Sequence, residues 1–259
     1  MLAIKRLMNN EVLTGGVDQV FKRRQHEIKA FEFNQTVVDV FDDMVSRSVP
    51  FYNEIHRLIT DYSNYFTHHD KENLIWDLGC STGTTIGILD RHLKDNQKNC
   101  RFVGVDNSAP MAEKAKQKLK NLQVENVDIL CGNIEDVLLD QNVDMIIMNY
   151  TLQFIREDLR PQILKNIFNA LRPGGVFILS EKINTNDSTF HQLITDLYYD
   201  YKRRQGYSEL EISQKREALE NVLVPLTPNQ QIKLLNDAGF DHVEQAFRWY
   251  NFTSYIALK

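Results

Sequence analysis

The sequence predicts an α/β domain, a parallel sheet with helices on both faces, and three observations carry that prediction. An apolar run of strand length, residues 74–78, breaks into a turn with two glycines four apart, Gly79 and Gly83, and a helical pattern (Ile86, Leu89, Leu93) follows. Further short apolar runs then alternate with helical segments as far as residue 179, the order of a sheet covered on both sides. Successive strands run out on or just before a polar residue, Asp77, Asp106, Asn133 and Asn149. Such sheets bind ligands at these carboxyl ends.

Residues 1–30 lack strong periodicity and read as a loosely attached leader with Gly15, Gly16 and a basic stretch at Lys22, Arg23 and Arg24. Helical spacing begins after Asn34 in Val37, Val40, Phe41, Met44 and Val45. It resumes after Pro50 in Tyr52, Ile55, Leu58, Ile59 and Tyr62, with Pro50 in a first turn where its missing N–H is not needed. Residues 67–72 have no apolar side chain, and their His68 and His69, without other ligands nearby, read as an exposed loop.

The glycine turn permits positive φ and close backbone approach, and the N–H groups at the following helix start suit a polar or anionic ligand. Asp77 closes the strand where it can receive turn N–H groups or a ligand ammonium. The second strand, 101–105, ends in Asp106 and Asn107, and a helix over 110–122 leads to a third strand, 127–131, followed by Gly132, Asn133 and Ile134. Asp106 lies 23 residues beyond Gly83, where an acidic residue reaches ribose hydroxyls in dinucleotide folds. A fourth strand, 143–148, ends in Asn149, a helix over 157–171 is stopped by Arg172, Pro173, Gly174 and Gly175, and a fifth strand spans 176–179.

An insertion over 184–226 opens with a helical run from Phe190 to Tyr201 and turns at Gly206. Ser208 and Glu211 then form a capping box for a second helix through Leu219. Thr227, Pro228 and Gly239 frame the next helix, and residues 241–247 and 251–258 make a closing edge hairpin. The expected organisation is one domain over 31–259, with N-terminal helices in 31–72 and the insertion as a helical lid.

The 259 residues, 42% hydrophobic and 25% charged, suffice for one substantial core. No run approaches a membrane span and the N-terminus lacks the apolar core of a signal peptide, so neither a membrane nor a secreted location is indicated. Cys80, Cys100 and Cys131 are too few and too scattered for a metal site; none is expected, and the odd count suits reduced thiols in a cytoplasm. A net charge of −5 argues against direct nucleic-acid binding. The densest basic cluster, Lys202, Arg203 and Arg204, reads as a solvated helix face.

The glycine turn, the acidic end of the second strand and the stop over 171–175 resemble class I S-adenosylmethionine-dependent methyltransferases. That resemblance covers 74–259 and implies a Rossmann-like seven-stranded sheet with its last strand antiparallel. Ser81 stands where a nicotinamide fingerprint needs a glycine, and the paired prolines of nucleobase amino-methyltransferases are absent after Asn149, where Tyr150, Thr151 and Leu152 follow.

A narrower resemblance runs from residue 33 to the end. The stretches 46–52 (SRSVPFY), 77–81 (DLGCS), 106–111 (DNSAPM), 151–154 (TLQF), 179–182 (LSEK) and above all 206–216 (GYSELEISQKR) are similar to the carboxy-S-adenosyl-L-methionine synthase family. The last stretch lies in the insertion, where class I enzymes otherwise diverge. The resemblance implies transfer of a carboxylate from prephenate to the methyl carbon of S-adenosylmethionine, releasing phenylpyruvate and water. The product, carboxy-S-adenosylmethionine, would serve a separate enzyme that modifies the wobble uridine of tRNA. A sulfonium acidifies its own methyl group, and loss of the donor's hydroxyl with decarboxylation can supply the base. The protein's tasks are then to exclude water, orient the donor and stabilise the new carboxylate.

Matched motif to motif, the resemblance implies that Gly79, Cys80 and Ser81 line the methionine and ribose side of the cofactor, that Asp106 holds the ribose hydroxyls beside Asn107, and that Asn133 and Ile134 contact the adenine. Asn149 would stand near the reacting end and Tyr52 would cover it. Arg216 would grip the added carboxylate as the catalytic residue, through the bidentate pair a guanidinium provides. Arg47 is a second candidate for a prephenate carboxylate, against a structural ion pair. The family usually has Asp where this chain has Asn133, whose amide oxygen still accepts from an adenine amino group. A homodimer is implied. An ordinary small-molecule methyltransferase and a non-catalytic protein that retains carboxy-S-adenosylmethionine are the alternatives; neither uses Arg216 for turnover.

Overall fold

A computed structural model describes residues 15–185 and 187–259. Three helices, α1 (Gln35–Val38), α2 (Phe41–Ser48) and α3 (Tyr52–Phe66), precede the first strand. The sheet then builds as β1 (Asn73–Leu78), α4 (Thr84–Asp95), β2 (Cys100–Asp106), α5 (Ala109–Asn121), β3 (Val127–Cys131), β4 (Val143–Asn149), α6 (Arg160–Ala170) and β5 (Leu171–Lys182). The insertion holds α7 (Ser188–Arg204) and α8 (Glu209–Leu219), and α9 (Pro228–Ala238), β6 (His242–Trp249) and β7 (Phe252–Leu258) complete the chain. The seven strands lie in the order β3-β2-β1-β4-β5-β7-β6. Five are parallel, and β7 enters antiparallel between β5 and the edge strand β6.

Alternation along the strands divides the core in two. Trp76 and Leu78 of β1 point to a layer with Ile163, Leu164 and Ile167 of α6 and Leu235 of α9, while Ile75 meets Ile55 and Ile59 of α3 and Ile86, Leu89 and Leu93 of α4. The strand order changes direction beside β1 and β4, so the carboxyl ends of β1, β2, β4 and β5 open on one crevice.

The capping box of Ser208 and Glu211 starts α8 as the sequence predicts, and Thr227 caps α9 as expected, there forming a second capping box with Gln230. Other boundaries differ. The helical pattern after Asn34 is two short helices, because the run Thr36, Val37, Val38 and Val40 is β-branched and resists one continuous helix. Pro50 precedes α3 instead of opening it, and Phe51 adopts a left-handed φ of 58° to turn the chain. Helix α6 begins at Arg160 and passes directly into β5. The predicted stop is a bulge in that strand, since Val143 pairs with Leu171 but Met145 pairs with Val176.

The reading of residues 1–30 as a loose leader is corrected for its described part; residues 1–14 lie outside the described residues. Asp18 and Phe21 are buried. Gln214 of α8 accepts from Gln25 N–H at 2.7 Å and donates to the carbonyls of Phe21 and Arg23 at 2.8 and 3.0 Å. The strap is irregular, so it has no periodicity to read, yet its backbone is satisfied by side chains of the insertion.

Candidate active site

The glycine turn owes its shape to β2. The Gly79 and Cys80 N–H groups both donate to the Val105 carbonyl, at 2.7 and 2.9 Å. Gly79 has φ of 82°, and a Cβ there would overlap the Thr151 side chain. Asp77 therefore receives no turn N–H group, which leaves a ligand ammonium as the other of the two partners the sequence offers it. Both its oxygens are buried without a hydrogen-bond partner among the described residues, and burial, with the nearby Asp106 charge, pushes its pKa up to about 7.

Asp106 is fixed from both sides, Oδ2 accepting from Ser81 N–H and Oδ1 from Ser108 N–H, each at 2.9 Å. Ser81 reaches this position at a positive φ of 48°. Burial raises the Asp106 pKa and the two N–H donors oppose the rise. Each oxygen keeps lone-pair capacity for a diol.

Above the strand ends lies a cavity of about 600 Å³, within the range of about 300–1,000 Å³ usual for small-molecule sites. The turn (Gly79, Cys80, Ser81), Asp106, Asn107 and Ile134 line one end; Asn149 and Tyr150 line it at the close of β4. Phe33, Met44 and Tyr52 close it from the N-terminal side, the Tyr52 ring standing edge-on to His56 at 4.5 Å between centroids. The insertion supplies the opposite wall, including Tyr198, Lys202, Lys215 and Arg216. Asn149 Oδ1 and the Tyr150 hydroxyl are buried without partners among the described residues, which marks them as groups awaiting a polar ligand.

The chain matches a methyltransferase-domain model over residues 75–175. It is 40% identical over 243 residues to the carboxy-S-adenosyl-L-methionine synthase of Shewanella sediminis, covering 93% of this chain and 98% of that one. It is also 45% identical over 232 residues to the synthase of that name from Desulfotalea psychrophila, covering 88% and 92%. The chain belongs to the carboxy-S-adenosyl-L-methionine synthase family. Solved structures bear out the class I methyltransferase fold. Human N-acetylserotonin methyltransferase in complex with SAM aligns with a TM-score of 0.59 at 16% identity, over 99% of this chain and 65% of that one. An O-methyltransferase family protein from Burkholderia thailandensis aligns at 0.64 and 14%, over 88% and 60%.

Nine of the ten candidate residues of this synthase-family chain line the cavity, Asn133 being the exception. Asn133 is exposed; its amide donates to Asp136 Oδ2 at 3.1 Å and its oxygen accepts from the Asn107 amide at 3.3 Å. Asn133 therefore stands behind Asn107, while Ile134 and Glu135 face the cavity. Arg216 is exposed at the last turn of α8, borders the cavity and makes no ion pair among the described residues, with Glu220 included. Arg47 takes the structural alternative. Its guanidinium binds Asp43 Oδ2 at 2.7 Å and the Asp18 carbonyl at 3.1 Å, and lies over the Tyr207 ring at 4.4 Å, outside the cavity lining.

The sequence reading missed three residues of the wall, Lys182, Lys202 and Lys215. The structure overturns the solvated helix face expected for Lys202, which is 5% exposed, while Arg203 and Arg204 beside it are exposed. One position along a helix turns a side chain by 100°, so adjacent basic residues need not share an environment. Glu181 was also missed. Burial pushes its carboxyl up to about 8, against the Arg160 charge and the N–H groups of residues 151–153.

Proposed function

We propose that the protein is an enzyme converting S-adenosylmethionine and prephenate into carboxy-S-adenosylmethionine, phenylpyruvate and water. The observation that carries the reading is Arg216, the last motif residue of the insertion, which borders the cavity with no carboxylate of its own. A guanidinium so placed is suited to a carboxylate that arrives with the substrate or forms in the reaction.

The residues present fit S-adenosylmethionine. Gly79 leaves the turn without a side chain, Asp106 offers two oriented oxygens for ribose hydroxyls with Asn107 beside them, and Asn149 holds an unused buried acceptor. Cys80 and Ser81 line the methionine side, Ile134 packs the adenine with Asn133 supporting through Asn107, and Tyr52 covers the reacting end. The bound sulfonium supplies an acidified methyl group. When prephenate loses its ring hydroxyl and carbon dioxide, the hydroxide leaves as water with the methyl proton, and the methyl carbon bonds to the carbon dioxide. Atoms and charge balance without a protein base. The aromatic wall of Phe33, Phe41 and Tyr52 keeps bulk water from the reaction, and Arg216 holds the carboxylate that results.

The same reading extends to a homodimer, supported by the exposed Phe190 and Leu193 on α7. It also extends to supply of the product for tRNA wobble-uridine modification. A cytoplasmic location agrees with three free cysteines, and among the described residues no helix is long and apolar enough to cross a membrane.

Mass spectrometry of small molecules released on denaturation, before and after incubation with both substrates, tests the reading. A species heavier than S-adenosylmethionine by one carbon dioxide should grow in step with phenylpyruvate. Unchanged S-adenosylmethionine with no phenylpyruvate would overturn it.

A further inference from the structure

The cavity has two electrical ends. Asp106 closes β2 and Lys182 closes β5, and these strands are three places apart in the sheet, about 14 Å. At the β5 end three amines gather from different elements. Lys202 of α7 and Lys215 of α8 are 5% and 7% exposed, and Lys182 is half-buried. Lys182 and Lys202 place Nζ 5.3 and 5.2 Å from the Tyr198 ring centroid, and Lys202 and Lys215 place theirs 5.8 and 5.7 Å from that of Tyr207.

These charges lack counter-ions. Among the described residues no carboxylate forms an ion pair with any of the three. Asp18 is the acid set against the cluster, and its oxygens already accept from Tyr207 Oη at 2.9 Å and Val20 N–H at 3.1 Å. Asp43 is engaged by Arg47. Among the described residues Lys215 donates only to the Ser48 hydroxyl, at 3.0 Å. Buried cations are costly without partners. Burial lowers the pKa of all three, and repulsion from Lys215 and Lys182 lowers that of Lys202 further. Such a cluster is retained at a loss in stability, which points to an anion from outside the chain.

We propose that Lys182, Lys202 and Lys215 form a dianion subsite that, with Arg216, selects the second substrate by its two carboxylates. The inference rests on the synthase reading for the identity of the donor. It goes further in assigning recognition to residues at the β5 end, remote from the S-adenosylmethionine contacts. The two-ended charge pattern suits a cationic and a dianionic substrate held together. After decarboxylation the donor leaves as a monoanion, one carboxylate fewer for the same amines, and so is released more readily.

Titration calorimetry with prephenate and with phenylpyruvate tests this on the full chain in the presence of S-adenosylhomocysteine, which lacks the reacting methyl group and so permits no turnover. The wild type should bind the dianion at least tenfold more tightly than the monoanion, and each of K202M and K215M should weaken prephenate binding about ten- to hundredfold. The two ligands should then bind alike, with S-adenosylmethionine affinity within about twofold of wild type. Prephenate binding near pH 8 should take up protons, read from buffers of different ionisation enthalpy, and K202M should reduce that uptake. A purely structural role for the lysine would leave it unmoved. Methionine in place of an unpaired buried amine should keep or raise the melting temperature, and K182M offers a third folded variant. Unchanged prephenate affinity and selectivity in folded K202M and K215M would overturn the subsite. Because binding is read without turnover, a wild type that binds the dianion but forms no carboxylated product would sink the synthase reading and leave the subsite standing.

Discussion

Lys118 Nζ on α5 lies 2.6 Å from Asp42 Oδ2 on α2, with the two side chains 2% and 3% exposed. The same ammonium donates to the Thr82 and Thr84 hydroxyls at 2.9 and 2.8 Å, and Asp42 Oδ1 accepts from Thr82 at 2.7 Å. The pair therefore joins the N-terminal cover of the cavity to the glycine turn beneath it. Removing one partner leaves an uncompensated buried charge, so D42N or K118M should cost about 3–5 kcal/mol in urea unfolding. Replacing both together with apolar residues should cost less than either single change. Equal or larger loss in the double variant would show that the pair is not coupled.

The turn itself makes a second prediction. In G79A a side chain must hold a left-handed backbone conformation at about 1–2 kcal/mol while displacing Thr151. Unfolding free energy should fall by at least that amount, and S-adenosylmethionine affinity should fall with it. Adding T151A removes the closest overlapping atoms and should recover only part of the loss, because the backbone cost stays.

Arg216 is exposed, so its replacement should spare the fold and damage the reaction. R216A is expected to reduce kcat/KM by about ten- to hundredfold, the loss of a charge-assisted hydrogen bond. R216K should recover little, since an ammonium cannot make the bidentate pair. Melting temperatures should agree across the series. Wild-type kinetics in R216A would remove this residue from the reaction.

Buried ionisable groups predict a pH profile with an inverted shape. Glu181 rises from 4.5 to about 8 and Asp77 from 3.8 to about 7, so between these limits the folded chain keeps protons that the unfolded chain has released. Their contribution to stability is full below pH 4 and is lost as pH rises toward 8. Lys182 and Lys215 fall from 10.5 to about 8, so above pH 8 the folded chain sheds protons that the unfolded chain retains, and stability returns. The ligand-free protein should show a local minimum in melting temperature near pH 8. E181Q should flatten the acid limb and K215M the alkaline limb. A melting temperature that climbs steadily from pH 5 to 8 would contradict the Glu181 assignment.

The sheet was legible because its strands are continuous apolar runs ending on polar residues, and Asp106, Asn107 and Asn149 line the cavity for that reason. Arg216 was legible only through the resemblance over 206–216, since an exposed arginine on a helix carries no periodic signature. Asn133 looked like a wall residue because chain order does not reveal that the 3-10 turn of Ile134–Asp136 rotates the next two side chains inward. Lys202 was hidden among arginines, and the strap over 15–30 lacked periodicity because Gln214, nearly two hundred positions away in the chain, satisfies its backbone. Long-range partners of this kind leave no local trace.

The insertion leaves and rejoins the frame at one point, where Asn184 N–H donates to the Leu226 carbonyl at 2.9 Å. Its two ends are neighbours, so the forty-odd residues between them form a cassette whose removal need not disturb strand order or register. The residues proposed to hold the nucleotide sit in the frame, and the amines and Arg216 sit largely in the cassette. A fold partitioned in this way can acquire a new acceptor or donor by replacing one contiguous segment, keeping its hold on S-adenosylmethionine while the reaction at the methyl group changes.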